Sequence, residues 1–335
     1  MMARRWLILL GLLLALLGGQ ARADSCTLTA SDIVFPSVSS ISSSDAFTSS
    51  TSWNVTCNWT AFTTALVAPN VTVCLYLGAG TNSSASVTAP RQMANGAVKA
   101  NYNLYSDTSY AASKIWGGWA GTTTSTTPII LTMTKTGGTG SLSQSFTVYG
   151  KLTADATLAA NSVGASDITV TSDFGSGSAL VQYLFTLLGS AVCTLGPTAA
   201  IPFQVRANVI NDCNINVGNI AFPNSSLLSS TVRSTSSMSI RCSAGTAYRV
   251  LLSYGGNGSG TARNMKKIAG TELVSYQLSN TLDGTTWADG ASGTLVVGGT
   301  GDGTTVSQTV FGRVPVQSTP SPGDYKDTIT ATVQF

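Results

Sequence analysis

The chain carries one cysteine-initiated pattern twice, and this repeat limits the folds available to it more than any other feature. The stretch CTLTASDIVFPS begins at Cys26 and matches CNINVGNIAFPN, which begins at Cys213, with Ile-x-Phe-Pro at the same offset. The next cysteine follows 31 residues later in the first copy and 29 residues later in the second. Three further landmarks recur in the same order: Arg91 and Arg263, Tyr102 and Tyr276, Trp116 and Trp287. The sequence therefore predicts two tandem copies of one domain.

Both copies have the composition of short strands joined by polar turns. Charged residues make up only 9% of the chain, and no segment keeps a helical period with caps. Runs rich in Val, Thr and aromatic residues between Ser- and Gly-rich turns are typical of sandwiches. The second copy has six such runs: 213–222, 232–242, 247–254, 271–279, 305–316 and 325–335. We predict an all-β fold of two tandem immunoglobulin-like sandwiches.

The second copy is one strand short of an immunoglobulin-type sandwich, which needs about seven. Its final run alternates Ile329, Ala331, Val333 and Phe335 with polar residues. A long apolar edge is an aggregation hazard unless another strand pairs with it. We therefore expect the C-terminal domain to have an acceptor groove beside this final strand, which a donor must fill.

The first 23 residues have the three parts of a secretory signal peptide. Arg4 and Arg5 precede the apolar run 7–17, and Ala21-Arg22-Ala23 has the form of a cleavage site. Cleavage there makes Asp24 the first residue of the exported protein.

Charge and side-chain inventory exclude several classes of function. Without residues 1–23, which contain three arginines and no acidic residue, the chain has 14 basic and 14 acidic residues. A neutral chain has no electrostatic reason to bind nucleic acid. The absence of histidine argues against zinc sites and removes the commonest general base. We expect no enzyme activity, no metal and no cofactor.

The six cysteines predict three disulfides, because the chain is exported. The repeat indicates that equivalent cysteines pair equivalently, which gives Cys26–Cys57 and Cys213–Cys242. Cys74 and Cys193 remain, and we pair them with each other.

A period-2 ladder stands just before the second copy, in a segment that spans 198–212. Its apolar positions are Ile201, Phe203, Val205, Ala207 and Val209. The ladder is the first strand of the second copy, a linker, or a donor-like strand that fills the groove of another domain by β-strand addition. In the first copy, both the run 178–188 and the preceding SDITVT are also candidates for the last core strand. The residues leave open whether 178–188 or 201–209 completes the first copy.

Several motifs resemble those of the spore coat protein U family. They are the Cys-x6-Ile-x-Phe start, Arg-x-Met, Tyr-x-Leu, the Trp-x-x-Gly turn and the terminal PGDYKDTITATVQF. The resemblance covers 213–335 well and 26–195 more loosely. The family includes the pilins of archaic (Csu-type) chaperone–usher pili. It implies incomplete sandwiches that a periplasmic chaperone holds, an outer-membrane usher assembles, and the N-terminal strand of an adjacent pilin completes.

Only Asp24 and Ser25 precede the first cysteine of the exported chain, so it has no N-terminal donor strand. A subunit that receives a strand and lends none must end the fibre. The resemblance therefore implies a two-domain tip adhesin that is secreted through the periplasm, lies at the pilus tip and mediates surface attachment and biofilm formation. We divide it into an adhesin domain (24–197), a linker or donor-like strand (198–212) and a pilin domain (213–335).

The first copy has apolar residues in three loop segments, where polar residues are usual. The candidate surface-binding residues are Trp59, Phe62, Leu66 and Val67, then Trp119, Ile129 and Ile130, and finally Leu158 and Val163. In resembling adhesins, hydrophobic finger-like loops are thought to grip abiotic or host surfaces. Alternatively these residues are buried in the fold, or the protein is a fimbrial lectin in which Trp53, Trp59 and Trp119 stack on sugars. A structural spore-coat or pilus-shaft role is a further alternative.

Overall fold

The computed structural model describes residues 24–60, 68–83, 90–118, 127–135, 138–164, 166–175, 177–186, 195–258 and 262–335. Within these ranges the chain forms two β-sandwiches in tandem. The predicted all-β fold of two immunoglobulin-like sandwiches is confirmed. In the described part of the chain, no helix is both long and apolar enough to cross a membrane.

In its described residues the first sandwich has thirteen strands and one short α-helix. Its strands are β1 (Ser25–Thr29), β2 (Ile33–Val34), β3 (Val38–Ser39), β4 (Ala46–Trp59), β5 (Asn70–Leu77), β6 (Arg91–Asn95), β7 (Val98–Tyr105), β8 (Ile129–Thr134), β9 (Gly140–Leu152), β10 (Ile168–Asp173), β11 (Ala179–Thr186), β12 (Thr198–Ala200) and β13 (Gln204–Ile210). The helix α1 spans Ala156–Ala159, and a 3-10 turn spans Ala112–Lys114. The large sheet has the order β1-β4-β9-β7-β6-β10-β13-β2, with β3 also paired to β13. The small sheet has the order β12-β11-β5-β8.

The second sandwich repeats this plan with fewer strands. They are β14 (Cys213–Val217), β15 (Val232–Cys242), β16 (Ala247–Leu252), β17 (Arg263–Lys267), β18 (Leu273–Ser279), β19 (Val297–Thr300), β20 (Thr305–Val314), β21 (Tyr325–Lys326) and β22 (Ala331–Gln334). A 3-10 turn spans Ala291–Gly293. The sheets have the orders β14-β15-β20-β18-β17-β21 and β19-β16-β22. The six predicted runs omit β17 and β19, and the single predicted run 325–335 contains both β21 and β22.

The same hydrogen bonds fix both cores, so the domains can be aligned residue by residue. The indole N–H of Trp116 donates to the Leu75 carbonyl at 2.7 Å, and that of Trp287 donates to Val250 at 2.8 Å. The buried Arg91 guanidinium binds the carbonyls of Leu77, Gly78 and Trp116. The buried Arg263 guanidinium binds those of Leu252, Ser253 and Trp287. Each arginine therefore connects the end of the equivalent strand, β5 or β16, to the buried tryptophan of its own domain.

The strand β13 belongs to the first sandwich, although it directly precedes the second. It is antiparallel to β10 and parallel to β2 and β3. The five apolar positions of the ladder are at most 5% exposed and belong to the core of the first domain. Interpreting 201–209 as the first strand of the second copy, or as a linker, is therefore wrong. Only residues 211 and 212 separate β13 from β14.

The run 178–188 and the ladder 201–209 do not compete for one place. Residues 179–186 form β11 in the small sheet, while β13 lies beside β10 in the large sheet. In the second domain β22 pairs with β16 as β11 pairs with β5, and β21 pairs with β17 as β10 pairs with β6. The final run of the second copy thus supplies the counterparts of both β10 and β11. Among the described residues of the second domain, none takes the place of β13.

Two of the predicted disulfides, Cys26–Cys57 and Cys213–Cys242, are present and join the first long strands of each domain. Cys74 is also disulfide-bonded, whereas Cys193, its predicted partner, lies outside the described residues.

Buried hydroxyl groups connect the two domains at the short linker. The Ser40 hydroxyl donates to the Ser243 hydroxyl at 2.6 Å, and Ser243 also accepts from the Asp212 backbone N–H at 2.9 Å. A β-bridge joins Ser162 to Ala244. The end of the first domain near residues 40 and 162 therefore adjoins the second domain, and Trp59, at the other end of β4, lies far from it.

Candidate acceptor groove and surface loops

A groove runs along the second domain where β13 lies in the first. Its cavity volume is about 670 Å³. One wall is formed by residues 217–222 and the other by residues 325–331, while Met238, Leu278 and Val310 contribute to its floor. The predicted acceptor residues Ile329 and Ala331 line the groove, but Val333 and Phe335 lie beyond it.

The missing strand accounts for the lack of strand structure in both walls of the groove. In the first domain, β2 and β3 pair with β13. The corresponding residues of the second domain, which begin at Ile220, belong to no strand. Residues 327–330 on the opposite wall likewise belong to no strand. In the first domain the counterparts of both walls pair with β13, so both walls of the second domain lack the same pairing strand.

Side-chain exposure shows the same loss. Ile33 and Phe35 are 1% and 3% exposed beneath β13. Their equivalents Ile220 and Phe222 pack against the core but are only partly buried. The neighbours are otherwise alike, because a β-carbon at Gly150 would come within 2.8 Å of the Phe35 ring, and one at Gly312 within 2.9 Å of the Phe222 ring. The groove is therefore a preformed apolar slot of one strand's width.

One acidic side chain, that of Asp327, lines the groove beside its apolar residues. The carboxylate of Asp327 accepts hydrogen bonds from the Tyr276 hydroxyl at 2.7 Å, the Gly256 N–H at 3.0 Å and the Asn257 amide at 3.1 Å. Burial, followed by this hydrogen bond, raises the pKa of Tyr276 well above its usual range. The nearby Arg263 lies 5.5 Å from the Tyr254 ring, and burial lowers its pKa. Sequence reasoning missed Asp327, because a single acidic residue in a polar-apolar alternation carries no distinctive signal.

The structure corrects three of the predicted surface-binding residues. Leu158 and Val163 are 0% and 4% exposed and belong to the core of the first domain. Leu158 is buried because α1, capped by the Asp155 carboxylate, folds back onto the sandwich. Trp59 is 3% exposed and lies over Gly140, where a β-carbon would come within 2.7 Å of its ring. Trp53 is also fully buried, so two of the three tryptophans invoked for sugar stacking lie in the core.

The other candidates divide between the surface and the undescribed segments. Ile130 is 55% exposed, whereas Ile129 is partly buried and packs against the core. Phe62, Leu66, Val67 and Trp119 lie outside the described residues.

The flanks of the three loop segments do not converge on one end of the domain. Residues 60 and 68 flank the first segment beside Asp24 and the Asn70 end of β5. Gly118 flanks the second segment and bridges to Leu77, at the opposite end of β5. The third segment lies at the junction with the second domain. Thr186, which precedes the undescribed residues 187–194, lies at the same end of the domain as residues 60 and 68, because it pairs with Asn70.

Comparisons with known proteins agree with this architecture. The model of the Spore Coat Protein U domain family matches residues 14–171 and 199–332. The structure is similar to a chain of the CsuC–CsuE chaperone–tip adhesion subunit pre-assembly complex from the archaic chaperone–usher Csu pili of Acinetobacter baumannii. The TM-score is 0.53 at 18% identity, covering 93% of this chain and 100% of that chain. At this identity the similarity concerns the fold.

A chain of a chaperone–tip adhesin complex of CFA/I fimbriae biogenesis matches at 10% identity, over 91% of this chain and 95% of that chain. Its TM-score of 0.27 is too low for a comparison of folds. No curated protein sequence matches the chain.

Proposed function

The chain belongs to the Spore Coat Protein U domain family, and from this premise we propose that it is a pilus subunit of the chaperone–usher type. The observation that carries the proposal is the contrast between the two domains. The first is closed by its own β13, and the second has a groove of the same kind without a strand in it. An extended segment of another polypeptide fills the groove by β-strand addition, with backbone hydrogen bonds and alternate side chains in the slot.

The first occupant is a periplasmic chaperone, and the second is an adjacent pilin at the outer-membrane usher. Ile220, Phe222 and Met265 are left partly exposed in the unfilled groove. A contiguous apolar strip of this kind promotes aggregation unless it is covered. A chaperone that lends a strand solves this problem before assembly, and the pilin strand replaces it in the fibre.

The proposed place of the subunit is the pilus tip. The donor-like strand 201–209 is already used within the first domain. Residues 25–29 form β1 on β4 and include the disulfide-bonded Cys26. With signal-peptide cleavage before Asp24, as the sequence predicts, the exported chain has no strand to lend and ends the fibre.

Co-expression with a periplasmic chaperone of the archaic chaperone–usher type tests the groove. We expect a one-to-one complex with the wild-type chain. The variant Ile329→Asp places a charge on the groove wall and should weaken this complex at least tenfold. The matched control is Leu282→Asp, at a position that is 63% exposed and outside the groove. Equal complex formation by both variants would exclude the groove as the chaperone site, and labelling of the subunit along whole fibres would exclude the tip.

We further propose that the far end of the first domain attaches to apolar surfaces and so supports biofilm formation. Residues 60 and 68, which flank the undescribed segment 61–67 with Phe62, Leu66 and Val67, lie at the end of the sandwich opposite the second domain. Burying about 100 Å² of apolar area per loop contributes roughly 2–3 kcal/mol, and several tips on one cell multiply the effect.

Adsorption of cells to polystyrene tests this part. Replacing Phe62, Leu66 and Val67 by Thr should reduce adsorption severalfold at unchanged piliation. The control Leu282→Thr removes an exposed apolar side chain from the second domain and should have no effect. A loss of sugar binding with unchanged adsorption would instead support a fimbrial lectin.

A further inference from the structure

The first domain provides a register for the strand that fills the groove. In the β10–β13 ladder, Val205 lies opposite Ser172, and Ala207 lies opposite Val170. Val205 and Ser172 are both 0% exposed, so this cross-strand pair faces the core. The alternate residue Arg206 is exposed.

This register can be transferred to the second domain through its β-ladders. Ala94 and Lys266 stand three residues after the equivalent arginines of the two domains. Ala94 pairs with Thr171, and Lys266 pairs with Lys326. The next residue along the wall is Ser172 in the first domain and Asp327 in the second. Asp327 therefore lies opposite the position that Val205 occupies in β13.

A side chain at the position equivalent to Val205 lies next to the Asp327 carboxylate, and a strand bound in the groove excludes water from that carboxylate. Cβ atoms of directly opposed residues in an antiparallel pair are about 5 Å apart, close enough for their side chains to interact. Among the described residues, one Asp327 oxygen accepts hydrogen bonds from Gly256 and Asn257, and the other accepts one from Tyr276. A carboxylate can accept about four hydrogen bonds in total. Covering it with an apolar side chain removes water and supplies no replacement donor.

We propose that the groove selects strands with a hydroxyl side chain, Thr or Ser, at the position equivalent to Val205. The inference rests on the proposed function of the groove and adds a chemical preference to it. The hydroxyl donates to Asp327 in the filled state, and the neighbouring inward positions remain apolar. The groove consequently disfavours β13 from a second copy of this chain, which would place Val205 over the carboxylate, and favours a strand from a different subunit.

Intramolecular complementation provides the test with the full exported chain. A flexible linker of about 15 residues and a second copy of residues 201–210 are appended after Phe335. We expect this extension to raise the melting temperature of the second domain. Val205→Thr within the appended copy should raise it further, by about 4 °C, because the threonine hydroxyl donates an additional hydrogen bond to the Asp327 carboxylate, whereas valine covers the carboxylate without a donor.

Two controls make the preference specific to Asp327. The variant Asp327→Ser restores the chemistry of the first domain, so the Val-containing extension should then be as good as or better than the Thr-containing one. Val209→Thr within the appended copy lies two alternate positions away and should lower the melting temperature in both backgrounds.

The outcomes separate the two proposals. If no extension stabilises the second domain, the groove is not a strand acceptor and both proposals fail. If the extensions stabilise it but Thr is not preferred at the Val205 position, or if Asp327→Ser leaves that preference unchanged, only the selectivity inference is overturned.

Discussion

A matched pair of phenylalanines allows the contribution of β13 to be measured. Phe35 and Phe222 have the same neighbours, a glycine of the adjacent strand and a buried tyrosine at 6.3 Å and 6.2 Å between ring centroids. Phe35 is 3% exposed beneath β13, whereas Phe222 faces the unfilled groove and is only partly buried. Replacing each by Ala therefore compares one site with and without the closing strand.

The expected costs follow from burial. Truncating a fully buried Phe to Ala costs about 3–5 kcal/mol. The part of Phe222 that remains exposed, on the order of 50 Å², contributes nothing to folding and lowers the cost by about 1–2 kcal/mol. The two variants are compared as free energies of unfolding, because the same free-energy change shifts the melting temperature of the larger first domain by fewer degrees.

Differential scanning calorimetry of the exported chain measures both effects, since each variant should shift the transition of its own domain. The gap should close when the groove is filled, because Phe222 is then covered as Phe35 is. Equal costs in the unfilled protein would refute the inference that the second domain lacks the counterpart of β13. A gap that persists after complementation would show that the two sites differ for another reason.

Two further predictions concern charges. The ammonium of Lys135 is 0% exposed and lies 3.0 Å from the Asp24 carboxylate. Asp24→Asn should therefore lower the unfolding free energy of the first domain by about 3 kcal/mol, and adding Lys135→Met should recover most of the loss. An unchanged urea midpoint for Asp24→Asn would contradict this prediction. Hydrogen bonds from the Ser321 hydroxyl and backbone N–H, together with Lys267, lower the pKa of Glu272 to about 2. The carboxylate therefore stabilises the second domain above its unfolded pKa near 4.5, and this contribution is lost as the pH falls towards 2. Acid titration of Glu272→Gln, followed by near-UV circular dichroism, should show a shallower loss over that window than the wild type, and parallel curves would count against the assignment.

The sequence predicts the fold because its two main signals can be identified without knowing which strands pair. Period-2 alternation depends only on residues close in the chain, and the repeated Arg, Tyr and Trp landmarks appear when the chain is compared with itself; together they identify two sandwiches and two disulfides. The strand partners of 201–209 could not be predicted in this way, because the partners at 33–39 lie far away in sequence. Period-2 alternation shows that a strand forms, but it does not show which sheet receives it.

The apolar loop residues show a second limit. Leu158 sits on a four-residue helix that folds back onto the core, and Trp59 fits over a glycine of the neighbouring strand. The sequence of a loop insertion does not show whether its apolar side chains are buried or exposed. The capping pattern of Asp155 with the Thr157 and Leu158 N–H groups was the available signal for the helix, and it predicts a fixed rather than a projecting segment.

The pair of domains also indicates why an acceptor groove requires a partner. The two sandwiches share the disulfide, the buried tryptophan and the arginine clamp, so the closing strand is the main difference between them. Its four larger apolar side chains, all of them in the ladder 201–209, are each worth about 2 kcal/mol when buried and account for roughly 8 kcal/mol. A whole domain is stable by only about 5–15 kcal/mol. The first domain obtains this strand from its own chain through β13. The described residues of the second domain supply no such strand, and in the proposed function a periplasmic chaperone lends one that a pilin strand replaces during assembly. Folding and fibre formation would then be parts of one process.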